Sequence, residues 1–251
     1  MANLRFAAPV ERRVALITGG ARGIGGATAV RLAEAGRDIA IADMLAEEAG
    51  ARIAEIEALG QKAIFVKTDV TEESQVHAAV AATVEAFGRL DILVCCAGVL
   101  GWEKPFLEQT AEQFSHVMAI NVHGAYYAHQ AAVPHMLERG WGRCVTISSS
   151  ARNGSPNQTP YAVSKGAVYS LIRSLGNAWP RQGVFVNGVE PGRALTDMVV
   201  HRFDEAHLKD PGNAMGRYSD ANEVAEVIEF LCSERNTYAT GAVWSVKGAA
   251  G

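Results

Sequence analysis

A tyrosine and a lysine four residues apart, Tyr161 and Lys165, stand downstream of three consecutive serines, Ser148, Ser149 and Ser150. On a helix, residues i and i+4 share a face, so the phenol and the ammonium can serve one site. A neighbouring positive charge favours phenolate over phenol and lowers a tyrosine pKa that starts near about 10. A phenol tuned in this way is the general acid/base that alcohol–carbonyl chemistry needs near neutral pH.

A second group of residues suits a different task. Thr18-Gly19-Gly20-Ala21-Arg22-Gly23-Ile24-Gly25 follows a short apolar run and opens a helical pattern, with its glycines spaced G-x-x-x-G-x-G. Glycines there let the backbone turn tightly and approach a pyrophosphate, and the helix N-terminus offers that anion free N–H groups. Asp43 ends the next apolar run, where a carboxylate can accept hydrogen bonds from a ribose 2′-hydroxyl and would repel a 2′-phosphate. The reading is therefore NAD in preference to NADP, although Arg22 in the loop is a guanidinium able to meet a 2′-phosphate. Capping the following helix is the other role open to Asp43. Asp69, with Val70 beside it, closes the third run and is a candidate for the adenine end of the nucleotide, or for another N-cap.

The elements that must carry these groups are legible as alternating patterns. Apolar runs at 14–18, 39–43, 63–66, 92–96, 144–148, 184–189 and 242–246 lack polar alternation, as parallel strands covered on both faces do. Helical patterns fill 23–35, 45–59, 72–87, 111–138, 161–179 and 220–232. Strands threaded by helices in this order imply an α/β fold with a doubly wound, seven-stranded parallel sheet. No repeat or linker divides residues 1–251, so a single domain is expected. The one long irregular stretch runs from Pro191 to Tyr218, and about 193–217 of it is read as a substrate lid.

Composition narrows the partners. The net charge is −4 with no basic block, which gives no electrostatic footprint for nucleic acid or an anionic membrane. The first residues lack the apolar core of a secretory signal, and no apolar run is long enough to span a bilayer. Cys95, Cys96, Cys144 and Cys232 sit in or beside apolar segments without metal-ligand spacing. These features point to a cytoplasmic protein with free thiols.

Taken in order, the glycine loop, the serines and the Tyr161/Lys165 pair resemble a classical short-chain dehydrogenase/reductase, over about residues 13–248. Asn121 in Met118-Ala119-Ile120-Asn121-Val122 is similar to that family's active-site asparagine, and Ala97-Gly98 to the end of its fourth-strand motif. Pro191-Gly192 with Thr196 resembles the segment that contacts the nicotinamide amide. The resemblance implies a Rossmann-type domain that binds NAD through Gly19, Arg22, Gly23, Ile24, Gly25, Asp43, Asp69, Val70, Ala97, Gly98, Tyr161, Lys165, Pro191, Gly192 and Thr196. It implies Tyr161 as the acid/base, Lys165 bound to the nicotinamide ribose, a serine that polarises the carbonyl, and Asn121 holding a water in a proton relay. Matching the preceding strand selects Ser149, whereas counting thirteen residues back from Tyr161 selects Ser148; Ser149 is preferred because loops absorb single deletions better than buried strands absorb a slip.

The chain departs from the resembled pattern at Cys95-Cys96, where two asparagines are usual, at Glu190 and at Lys247. Trp102, Met198 and Phe203, with Asn153 and Gln158 nearby, are candidate substrate-lining residues and suit an apolar secondary alcohol and its ketone. Helix 161–179 carries small and apolar residues that, in the resembled family, form part of a homotetramer interface. An NADPH-dependent 3-oxoacyl-carrier-protein-type reductase is the alternative enzyme, and a non-catalytic dinucleotide-sensing regulator the alternative of another class.

Overall fold

A computed structural model describes residues 12–196 and 212–249. Seven parallel strands form one sheet: β1 (Val14–Thr18), β2 (Asp38–Asp43), β3 (Ala63–Lys67), β4 (Ile92–Cys95), β5 (Gly142–Ile147), β6 (Val184–Pro191) and β7 (Val243–Val246). Their order across the sheet is β3-β2-β1-β4-β5-β6-β7. The chain runs outward from β1 to β3, then crosses back to place β4 on the other side of β1. The crevice at the carboxyl ends of β1 and β4 is therefore the topological switch point, where such sheets bind ligands.

Residues adjacent in a strand point to opposite faces, and the core divides accordingly. On one face Ile17, Ile41, Val94 and Val145 pack beneath α1 (Gly23–Glu34), α2 (Ala46–Ala58) and α7 (Ala221–Cys232), through Leu32, Ile56 and Ile228. On the other, Leu16, Ala40, Leu93 and Cys144 meet α3 (Glu73–Phe87) and α5 (Gly124–Arg139), through Val80, Val133 and Met136. Burial on both faces explains why the strands read as continuous apolar runs.

The helical pattern expected over 111–138 is not one α-helix. Thr110 opens α4 (Ala111–Met118) with a capping box to Gln113. A π-helical turn, Ala119–His123, then separates α4 from α5. Such turns insert an extra residue and re-aim the side chains they carry; Asn121 lies in the middle of this one. The chain can pass close to the sheet edge here because Gly124 has no side chain. A Cβ on it would stand 2.8 Å from the Cβ of Val70.

The helix expected at 161–179 starts earlier and stops earlier, as α6 (Thr159–Gly176) with a proline in its first turn. Pro180 disfavours helical backbone at Trp179, and Gly176 lies against Gly241, with 2.2 Å between a hypothetical Cβ and the Gly241 Cα. β4 ends at Cys95 and β5 at Ile147, one residue short of the apolar runs in each case. Residues 197–211, and with them Met198 and Phe203, lie outside the described residues. The two described flanks of that stretch are paired: Leu195 N–H donates to the Ser219 carbonyl at 2.9 Å and Ser219 N–H to the Arg193 carbonyl at 3.0 Å. Among the described residues no helix is long and apolar enough to cross a membrane.

Candidate active site

The glycine loop lies at the switch point, at the carboxyl end of β1. Gly19 has a φ of +69°, and a Cβ on it would come within 2.5 Å of the Ala97 nitrogen. A Cβ on Gly25 would stand 2.0 Å from the Gly19 carbonyl oxygen. Neither position tolerates a side chain, so the loop presses against the end of β4 at Ala97. Arg22 is the N-cap of α1 and makes no capping hydrogen bond with its side chain, which leaves the first-turn N–H groups of Gly23, Ile24 and Gly25 to face an anion. Thr196 folds over the same place, its methyl 3.7 Å from where a Cβ on Gly23 would be. The segment after Pro191-Gly192 thus roofs the loop.

Asp43 spends both carboxylate oxygens on backbone N–H groups, one of them at the helix entry expected of a cap. One oxygen accepts the Ala21 N–H at 3.0 Å and clamps the glycine loop; the other accepts the Leu45 N–H at 3.2 Å at the entry to α2. A carboxylate has about four acceptor sites, so its capacity for ribose hydroxyls is not exhausted. Asp69 is engaged differently, since one of its oxygens accepts both the backbone N–H and the hydroxyl of Thr71, at 2.9 and 2.8 Å. It shapes the turn that leads into α3, and Val70 packs on Gly124.

At the other end of the cleft, Tyr161 and Lys165 occupy one face of α6, one turn apart. The Lys165 Nζ lies 5.6 Å from the Tyr161 ring centroid and donates to the Ile147 carbonyl at 2.8 Å, where β5 ends. Lys165 is buried, and that burial pushes its pKa down to about 8, with the neighbouring Cys96 thiol opposing the shift. Gly98 lies beside both catalytic candidates: a Cβ on it would be 3.2 Å from Asn121 Oδ1 and 3.8 Å from Lys165 Nζ.

The Asn121 side chain is committed. Its Oδ1 accepts the Val99 N–H at 2.8 Å, and its Nδ2 donates to the Val99 carbonyl at 2.9 Å and to Ser164 Oγ at 3.0 Å. Ser164 in turn donates to the Tyr161 carbonyl at 2.7 Å. Asn121 therefore ties the loop after β4 to the N-terminal part of α6. Sequence reasoning missed Ser164; its position three residues after Tyr161, on the same helix face, was the available signal.

The two rival serines differ in access. Ser148 is buried, its N–H is spent on the Val189 carbonyl at 2.8 Å, and its Oγ meets no hydrogen-bond partner among the described residues. Ser149 is half-buried in extended backbone, and its Oγ accepts the Ala151 N–H at 3.2 Å as the cap of a 3-10 turn, Ser150–Asn153. Trp102 is 44% exposed with its ring edge-on to His116. The loop that carries it is joined to the approach to α6 by Lys104 N–H donating to the Asn157 carbonyl at 2.9 Å.

The unusual residues are also accounted for. Burial pushes the Cys95 thiol up to about 12 and the Cys96 thiol up as well, so both are inert fillers at the sheet end. His129 supplies polar bracing beside Cys95: its Nδ1 lies 2.8 Å from the Ala125 carbonyl and its Nε2 3.4 Å from the Thr146 hydroxyl. Since a carbonyl only accepts, the proton belongs on Nδ1. Glu190 and Lys247, separate oddities in the sequence, are partners at 2.7 Å.

Lys165 is charged in both the folded and unfolded chain below about pH 8, so burying it opposes folding fully there. Between about 8 and the unfolded value near 10.4 the folded chain has shed the proton and the unfolded chain has not, so stability rises with pH. Lys165→Met should accordingly be the more stable protein at pH 7, by up to about 3 kcal/mol. That advantage should shrink as pH rises from 8 to 10. Urea melts of both proteins across pH 6–10 check this; a difference that does not vary with pH would refute it.

Comparison with known proteins agrees with this geometry. A family model described as Enoyl-(Acyl carrier protein) reductase matches residues 19–249. The chain is 38% identical to 2-(R)-hydroxypropyl-CoM dehydrogenase of Xanthobacter autotrophicus, over 94% of this chain and 98% of that protein. It is 35% identical to levodione reductase of Leifsonia aquatica, over 94% of this chain and 93% of that protein. Carveol dehydrogenase from Mycobacterium avium, solved in complex with NAD, superposes with a TM-score of 0.89 at 26% identity, covering 97% of this chain and 99% of that one. The chain belongs to the short-chain dehydrogenase/reductase family, a group of nicotinamide-dinucleotide oxidoreductases that act on CH–OH groups.

Proposed function

We propose that this chain is an NAD(H)-dependent enzyme that interconverts a secondary alcohol and its ketone, with Tyr161 as the acid/base. The observation that carries this reading is the buried Lys165 ammonium, held on the Ile147 carbonyl and facing both Tyr161 and Gly98. The cradle left by Gly19, Gly25 and Gly98 fits a dinucleotide: Gly23 to Gly25 would hold its pyrophosphate, Asp43 its adenosine ribose, and Lys165 its nicotinamide ribose. When bound, the dinucleotide supplies the hydride acceptor or donor at nicotinamide C4. Tyr161 then takes the hydroxyl proton in oxidation and returns it in reduction. Ser149, the accessible serine, orients the substrate oxygen, and Lys165 stabilises the charge that develops on the phenol oxygen.

Both amide protons of Asn121 are already used. Its part is therefore to hold the site's geometry between Val99 and Ser164. Asp43 supports NAD over NADP, because a 2′-phosphate would stand against a carboxylate fixed on the glycine loop. An alcohol–ketone centre also suits the names of the hydroxypropyl-CoM and carveol dehydrogenases. Half-exposed Trp102 beside the approach to α6 favours a substrate with an apolar body. The chain is read as one catalytic domain, and its four cysteines, all free thiols, suit the cytoplasm. Exposed Phe114 on α4, Tyr126 on α5 and Val163 on α6 support assembly as a homotetramer.

Two substitutions separate the parts of this reading. Tyr161→Phe should lower turnover by about 10²–10⁴-fold, the usual share of general acid/base catalysis, while NAD affinity stays near wild type. Turnover close to wild type would reassign the proton. Asp43→Ala loosens the glycine loop for either cofactor, so only the ratio is informative. The NAD/NADP affinity ratio should fall by about 10–100-fold, as expected for losing hydrogen bonds to a charged acceptor. An unchanged ratio, measured by fluorescence titration, would leave Asp43 a loop clamp alone.

A further inference from the structure

Glu190 is a carboxylate that the chemistry above leaves unused, yet it is only 2% exposed at the carboxyl end of β6. Two cations meet it there, Arg152 Nε at 2.8 Å and Lys247 Nζ at 2.7 Å. Burial works against its charge, but the hydrogen bonds from Lys247 and Arg152 outweigh that and hold its pKa below the usual carboxylate range. The lowered pKa makes the charged cluster stabilising at neutral pH, but Arg152 and Lys247 remain 27% and 24% exposed, and solvent screening keeps such a gain small. The cluster's placement offers a better reason for it.

Arg152 belongs to the 3-10 turn that Ser149 caps, and its own N–H donates to the Ser149 carbonyl at 3.2 Å. Its guanidinium also lies 4.3 Å from the ring centroid of Tyr169, one turn beyond Lys165 on α6. Glu190 immediately precedes Pro191-Gly192, and the Gly192 N–H donates to the Val246 carbonyl at 2.8 Å, beside Lys247. The cluster thus joins the serine turn and the catalytic helix, which follow one another in the chain, to the nicotinamide segment after β6 and to the end of β7.

We propose that Glu190 and Arg152 are positioning residues that hold the Ser149 turn in register with Tyr161 and the Pro191-Gly192 segment. The proposal rests on Ser149 as the acting serine. Misplacement by about 1 Å is enough to cost about 100-fold in rate, so a tether of this kind should be read in kcat and not in cofactor binding. Lys247 anchors the carboxylate from the β7 side.

The test is a double-mutant cycle on the full-length enzyme, with Arg152→Met and Glu190→Gln each made in the wild type and in Ser149→Ala. In the wild-type background each should lower kcat by about 10–100-fold with unchanged NAD affinity. In Ser149→Ala, whose serine is already gone, each should cost less than about twofold more, because the tether has nothing left to place. Arg152→Met leaves the Glu190–Lys247 pair intact, so it remains informative should Glu190→Gln fail to fold. Equal losses in both backgrounds, no loss in the wild type, or a loss that follows NAD affinity would each overturn the proposal. Full activity in Ser149→Ala would overturn the serine assignment, and this tether with it, by a separate readout.

Discussion

A charged amine carried out of water to the end of a sheet opposes folding, and the surrounding structure exists in large part to hold it there. Lys165 has one backbone carbonyl, that of Ile147, as its fixed partner. A neutral carbonyl does not offset desolvation, which is why burial leaves the lysine a weaker base than in water. On the proposed function, the stability lost at this residue is the cost of placing a cation where a phenol and a ribose could both use it. Sites that carry chemistry commonly retain such strain and recover it elsewhere in the fold.

The neighbours of Lys165 follow from that constraint. Gly98 must lack a side chain for the cleft floor to reach Asn121 and Lys165. Asn121 must sit in a π-helical turn that aims its amide back at Val99 and across to Ser164. Through Ser164 the same asparagine steadies the Tyr161 turn. The glycine loop, Ala97 and Gly98 form one continuous backbone surface from the N-terminus of α1 to Asn121 and Lys165. On the proposed function, the nucleotide end and the proton-transfer end are therefore one site.

Much of this was legible in the sequence, for physical reasons. The five inner strands, buried on both faces, are written as apolar runs, and the half-buried edge strands β3 and β7 keep enough apolar residues to be read with them, all with small errors at their ends. Tyr161, Lys165, Asn121 and the glycine loop come together as expected, because helix spacing and the order of elements decide their placement. The π-helical turn was invisible, since its residues keep the apolar rhythm of the helices around it. Alternation in an extended strand could say that Ser148 and Ser149 face opposite ways, but not which one faces the cleft. The pairing of Glu190 with Arg152 and Lys247 was illegible for another reason. It spans three strand ends, and no local pattern encodes a contact between residues so far apart in the chain.

The most direct test of the account is a crystal structure of the chain with NAD bound. The account predicts the pyrophosphate at the N-terminus of α1 and Asp43 on the adenosine ribose. It also predicts that Lys165 Nζ bonds a nicotinamide ribose hydroxyl while keeping the Ile147 carbonyl. A nicotinamide ribose bound out of hydrogen-bond reach of Lys165, with that lysine still held on Ile147 alone, would contradict it.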